Sequence, residues 1–219
     1  MPLELIIFDC DGVLVDSEPL ANRVLAEALA GLGLHLTLEE TMQQFVGRSV
    51  GSCEAQIRLL TGRPVPTSFV GDWQTATLVA FRTGLEPVAG IRAALDQLPY
   101  PRCVASGSNP DRIALALEVT GLAGYFTGRL FSATQVAYPK PAPDLFLFAA
   151  HTLGAPPARC VVVEDSRLGV QAGVAAGMPV FGYAPHDAGQ ALAAAGAQVF
   201  HDMTQLPALI GEVAGRRLY

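Results

Sequence analysis

Asp9 and Asp11 stand two residues apart at the end of the apolar run Leu5-Ile6-Ile7-Phe8, and that run reads as a buried strand. Side chains two apart on a strand point the same way, which puts both carboxylates on one side and Cys10 on the other. Two such carboxylates repel, and one takes up a proton unless a cation sits between them. Glu164 and Asp165 close a second apolar run, Cys160-Val161-Val162-Val163, and Ser106-Gly107 follows a third, Cys103-Val104-Ala105. In open parallel sheets the ligand crevice lies outside the carboxyl ends of the strands, so these distant segments are expected to converge. Four acidic groups in one crevice suit a hard divalent cation, Mg²⁺ before others, with the remaining octahedral positions left to water and substrate. One cation stands out. Of the 14 Lys and Arg residues only Lys140 is a lysine, placed just before Pro141-Ala142-Pro143, and a compact ammonium and a planar guanidinium are not interchangeable at a crowded anion.

The elements that must position these residues follow from periodicity. After Asp16 and Ser17, which can cap a helix carrying Leu20, Val24 and Ala28 on one face, only helical patterns occur up to about Arg82: Leu38 to Phe45, Cys53 to Leu60 and Phe69 to Phe81. This predicts a helical insert over 16–85. From Pro87 onward, helices alternate with short buried strands, the sequence form of a parallel α/β sheet. Val88, Ile91, Leu95 and Leu98 share one helix face. Asn109-Pro110 begins a helix that Gly121 ends, and Pro143 begins another that turns Leu145, Phe148, Ala149 and Thr152 inward. A small-residue helix holding Gly169, Gly173 and Gly177 follows Ser166, with further strands at Pro179 to Tyr183 and Gln198 to Phe200 around an Ala-rich helix near Ala191 to Ala195. The expected organisation is an α/β core over 1–15 and 86–219 with the helices inserted between.

Composition removes other function classes. The 219 residues are 51% hydrophobic and 16% charged, against about 25% charged in an average domain, which excludes a disordered chain. The longest apolar stretches, such as Leu145 to Ala150, fall far short of the ~18 residues of a membrane span. A net charge of −6 disfavours nucleic acid, whose binding needs a cationic surface, and leaves room for a small anionic metabolite at a locally positive site. Cys10, Cys53, Cys103 and Cys160 form no CxxC pair and read as thiols in a reducing cytosol. No basic region precedes the first apolar run, so a secretory signal is not expected and the location is read as cytoplasmic.

Asp9-Cys10-Asp11-Gly12-Val13-Leu14-Val15-Asp16-Ser17-Glu18, Val104-Ala105-Ser106, Lys140-Pro141-Ala142-Pro143-Asp144 and Val163-Glu164-Asp165-Ser166 with Gly169 occur in this order. The ordered set resembles the haloacid dehalogenase-like hydrolases over essentially the whole chain, in the branch of β-phosphoglucomutases and small-sugar phosphatases. The resemblance implies a Rossmann-like core with an inserted all-helical cap, and a Mg²⁺-dependent phosphatase of small phosphorylated metabolites, sugar phosphates or phosphorylated sugar acids. It implies Asp9 as a nucleophile forming an aspartyl-phosphate, and Asp11 as the acid for the leaving alcohol and base for water. Ser106 and the Gly107 backbone would bind the phosphoryl group, Lys140 would neutralise charge between phosphate and nucleophile, and Asp165, with Glu164 nearby, would hold Mg²⁺ alongside Asp9 and the Asp11 carbonyl.

Departures from sibling patterns sort the alternatives. The β-phosphoglucomutases of this branch carry a histidine where this chain has Ala21, and a Lys-Gly-x-x-Arg cap stretch where it has Val46-Gly47-Arg48-Ser49-Val50. A mutase is therefore the second reading. The insert has no lysine for a Schiff base, which argues against phosphonoacetaldehyde hydrolysis, and Asp11 argues against a true 2-haloacid dehalogenase. Arg48 is the candidate for a substrate's anionic or hydroxylated tail. A non-enzymatic phospho-acceptor resembling response-regulator receivers would also gather carboxylates and a lysine at a sheet edge, but without a helical insert.

Overall fold

A computed structural model describes residues 3–45 and 50–216 of the chain. Two compact units divide it: Met1–Val15 with Pro87–Tyr219, and Asp16–Glu86. The first unit is built on a six-stranded sheet, β1 (Leu5–Phe8), β2 (Arg102–Ser106), β3 (Leu130–Ser132), β4 (Cys160–Glu164), β5 (Val180–Tyr183) and β6 (Gln198–Phe200), in the order β3-β2-β1-β4-β5-β6. Every pairing is parallel. The chain builds outward from β1 to β3 on one side and then from β4 to β6 on the other, so the order reverses beside β1, the place where open α/β sheets form their crevice.

Helices α5 (Ile91–Gln97), α6 (Pro110–Val119), α7 (Asp144–Thr152), α8 (Arg167–Ala175), α9 (Gln190–Ala195) and α10 (Leu206–Arg216) belong to the same unit. The central strands are buried along their length, which explains why they read as unbroken apolar runs rather than as alternation. Ile7 shares a register line with Cys103 and Val162, and these three join Leu145, Phe146 and Ala149 of α7 and Val170 of α8 in one apolar cluster. Phe8 packs edge-on against Phe126 at 5.9 Å.

The structure adds β3 and α10 to the elements expected from sequence. Three residues are too few to show a period, and β3 lies at the sheet's edge. Thr152, expected to face inward, is exposed at the last position of α7, where Phe146 and Ala150 are buried instead.

The second unit holds α1 (Glu18–Gly31), α2 (Leu38–Phe45), α3 (Val50–Thr61) and α4 (Phe69–Gly84). Its own apolar cluster gathers Leu25, Leu29, Phe45, Cys53, Ile57 and Phe69. Thr37 and Glu40 form a capping box at the start of α2: Glu40 N–H donates to Thr37 Oγ1 at 3.1 Å and Thr37 N–H to Glu40 Oε2 at 2.8 Å. Ser17 occupies the N-cap of α1, with Pro19 in the first turn, but its hydroxyl makes no capping bond. All four cysteines are buried. Among the described residues no helix is long and apolar enough to cross a membrane.

Candidate active site

Asp9 follows β1 directly, and its N–H donates to Val163 O of β4 at 2.9 Å, which extends the sheet by one residue and fixes the carboxylate above the switch point. The residue is 7% exposed. Lys140, on the loop before α7, donates from Nζ to Asp9 Oδ1 at 2.6 Å, to Glu164 Oε1 at 2.6 Å and to Ala105 O at 3.1 Å. The ammonium also lies 4.8 Å from the centre of the Phe146 ring, within cation–π range. Burial, with the charges of Glu164 and Asp11 added, pushes the Asp9 carboxyl up to about 7 against the pull of Lys140. Burial pulls Lys140 down, but the charges of Asp9 and Glu164 outweigh it and hold the ammonium above its usual range. The lysine is therefore a fixed cation, and the site still carries more negative charge than it neutralises.

Glu164, the last residue of β4, is 0% exposed. Its Oε2 accepts from Asp165 N–H at 3.0 Å, Ser166 N–H at 2.8 Å and Ser166 Oγ at 2.9 Å, while Oε1 takes Lys140. Ser166 in turn caps α8 by accepting from Gly169 N–H at 3.0 Å. Both glutamate oxygens are thus occupied by protein donors. Among the described residues no group of three or more His, Cys, Asp or Glu side chains is gathered so as to hold a metal ion.

Two glycines make the acidic pair fit. A Cβ at Gly169 would lie 1.7 Å from Glu164 Oε1, so the carboxylate rests against the bare backbone of α8. A Cβ at Gly12 would lie 1.9 Å from Asp165 Oδ2, and Gly12 also has φ +77°, a conformation that side chains disfavour. Asp165 is thereby seated against the turn that follows Asp9 and Asp11.

Asp11 takes donors from the β2 side of the site. Its Oδ2 accepts from Ser108 Oγ at 2.7 Å and its Oδ1 from Arg112 Nη2 at 2.8 Å, the two charged side chains being 26% and 28% exposed. Ser106, at the end of β2, is buried, and its hydroxyl accepts from Ser108 N–H at 3.1 Å, leaving the hydroxyl proton to donate. Gly107 lies exposed beside it, with open space where a side chain would be. Ser132 Oγ donates to Ser108 O at 2.7 Å, so the end of β3 steadies the same loop. Cys10 points into the core, where burial pushes its thiol well up and keeps it unreactive.

Sequence reasoning missed Arg112. A cation in the first turn of a helix opposes the helix dipole, and Arg112 is the third residue of α6; that misfit was the available signal for a carboxylate partner. Arg48 lies outside the described residues.

The profile of the haloacid dehalogenase-like hydrolases matches residues 3–177. A 6-phosphogluconate phosphatase of Escherichia coli (strain K12) is 28% identical over 208 residues, 94% of this chain and 94% of that protein. A fructose-1-phosphate phosphatase of the same organism is 30% identical over 174 residues, 79% of this chain and 92% of that protein. A crystal structure of a HAD family hydrolase from Deinococcus radiodurans R1, with bound phosphate and sodium, is similar with a TM-score of 0.82 at 35% identity, covering 98% of this chain and 97% of that one.

Proposed function

We propose that this chain, which belongs to the haloacid dehalogenase-like hydrolase family, is a Mg²⁺-dependent phosphatase that cleaves phosphomonoesters of small sugars or sugar acids through an aspartyl-phosphate on Asp9. The observation that carries the reading is the buried Asp9 carboxylate held at 2.6 Å by the chain's single lysine, at the mouth of the switch point. An Asp9 oxygen attacks phosphorus, the bond from phosphorus to the alcohol oxygen breaks, and a proton from Asp11 goes to that oxygen. Water then attacks the same phosphorus, Asp11 takes its proton, and the Asp9 carboxylate leaves. Ser106 and the Gly107 N–H hold the phosphoryl oxygens, and Lys140 offsets the charge brought together when two anions meet.

The donor set suits Mg²⁺. Asp9 and Asp165 offer carboxylate oxygens and Asp11 its main-chain carbonyl, a set of hard oxygens that needs no third acidic side chain. The upward push on Asp9 marks a place where another cation is favourable. When bound, Mg²⁺ supplies charge neutralisation at the phosphoryl oxygens and at the attacking carboxylate. The substrate class rests on the relatives, whose named substrates, 6-phosphogluconate and fructose 1-phosphate, are both small polyhydroxylated phosphate esters. The helical unit is read as the cap that selects among them, and the four buried thiols support a cytoplasmic place of action.

The test is phosphate release from p-nitrophenyl phosphate and from a panel of phosphorylated sugars and sugar acids, with and without Mg²⁺. Mg²⁺-dependent turnover of at least one sugar or sugar-acid phosphate is expected. No turnover of any panel member would overturn the reading. With β-glucose 1-phosphate and a bisphosphate activator, isomerisation faster than hydrolysis would make the mutase the better reading; Ala21 and the lysine-free insert lead us to expect the reverse.

A further inference from the structure

We propose that Arg112 is a positioning residue for Asp11: by holding one carboxylate oxygen, it decides which oxygen carries the proton given to the leaving alcohol. This deepens the phosphatase reading and rests on it. Arg112 lies outside the four segments that carry the family resemblance, in the first turn of α6, where its charge opposes the helix dipole. What it meets there is Asp11, 101 positions away along the chain, whose Oδ1 accepts from Nη2 at 2.8 Å.

The other oxygen has a partner of a different kind. Asp11 Oδ2 accepts from Ser108 Oγ at 2.7 Å, and donors on both oxygens fix the rotation of the carboxylate about its Cβ–Cγ bond. A guanidinium donates and never accepts, whereas a hydroxyl can turn and do either. Oδ1 therefore stays an acceptor, and the proton of a neutral Asp11 sits on Oδ2, where Ser108 Oγ can turn as that proton leaves for the alcohol oxygen. Both partners stand on anchored backbone. Pro110 opens α6 two residues before Arg112, and Ser108 is tied by its N–H to Ser106 Oγ at 3.1 Å and by its O to Ser132 Oγ at 2.7 Å. As the proton departs, negative charge grows on Asp11, and Arg112 at the other oxygen offsets it.

The leaving group tells this role from others. A sugar alkoxide is too basic to leave without a proton, p-nitrophenolate leaves as the anion, and kcat/KM reports only the steps up to release of the alcohol. All rates are taken at saturating Mg²⁺, on variants checked for folding by circular dichroism. In Arg112→Ala, kcat/KM should fall about 3- to 10-fold for the sugar or sugar-acid phosphate that the wild-type protein cleaves best, and less than about twofold for p-nitrophenyl phosphate. Asp11→Asn should lose about 10²-fold or more on the sugar ester, the scale of a general acid. Adding Arg112→Ala to Asp11→Asn should cost less than about twofold more, because the arginine acts through the acid that is gone.

Losses in Arg112→Ala that are equal on the two esters, or absent from both, would overturn the proposal. So would a further loss of about threefold or more in the Asp11→Asn background, which would make Arg112 a contact to the substrate itself. If the wild-type protein shows no Asp9-dependent phosphatase activity at all, the phosphatase reading fails first, and the Asp9→Asn control tells the two failures apart.

Discussion

Two cations among the described residues of the site live in different surroundings. Lys140 is 11% exposed and donates to three acceptors, two of them on strands of the sheet. Arg112 is 28% exposed and pairs with Asp11 on the surface turn after β1. Coulomb attraction is much stronger for the buried group than for the open one, where water and salt screen it. The difference fits the proposed division of labour: a nucleophile at Asp9 must hold one position to attack in line, whereas an acid at Asp11 that also serves as base must exchange partners between steps. The less exposed cation is tied to Glu164 of β4 and Ala105 of β2, and the more exposed one to the turn after β1.

The contrast can be broken at the nucleophile, where the largest effect is expected. Asp9→Asn should lower kcat by at least about 10⁴-fold, as nucleophile removal does elsewhere, with the fold intact by circular dichroism; appreciable turnover in a contaminant-free preparation would defeat the mechanism. Lys140→Arg probes the less exposed side without changing charge. A planar fork cannot replace a point charge among three acceptors, so kcat should fall by around 10²-fold while the melting temperature changes little. Near-wild-type kcat would show that diffuse positive potential suffices.

Arg112→Ala probes the open side and should be milder, lowering kcat/KM by about 3- to 10-fold, the scale of an interaction near 1 kcal/mol at an exposed pair. A loss as large as that of Lys140→Arg would erase the distinction between the sides. The smallest effect is on stability. In the metal-free protein, Asp9 titrates near 7 in the folded state, above its ordinary 3.8, so the folded state binds more protons than the unfolded one between those values. That contribution is fully present below about pH 4 and is lost as pH rises through 7. In chelator, Asp9→Asn should therefore raise the melting temperature by a few degrees at pH 8 and by less at pH 5; an equal shift at both would place the origin elsewhere.

The central strands were legible because burial on both faces leaves an unbroken apolar run, and all three polar clusters stand at the carboxyl ends of such runs. Lys140 stood out by composition, while its place beside Asp9 was implied only by the resemblance. Partnership itself was not legible. The doublet Glu164-Asp165 looks like two equivalent acids in sequence, yet one faces Lys140 and the α8 backbone while the other rests on Gly12. Likewise Asp9 and Asp11 share a strand direction on paper, but the strand ends at Phe8 and the following turn sends Asp11 to Ser108 and Arg112. Periodicity reports which face a residue occupies, and the turn geometry that separates these pairs lies outside any period.

Asp9 and Lys140 are separated by 131 positions along the chain. At ~5–20 residues per second of synthesis, on the order of ten seconds pass between making the nucleophile and making its lysine, and β4, which carries Glu164, follows later still. The proposed chemistry consequently has no early version on the ribosome. A prematurely terminated product that stops before β4 would lack Asp165, and the proposed chemistry with it, whatever part of the sheet it has managed to form.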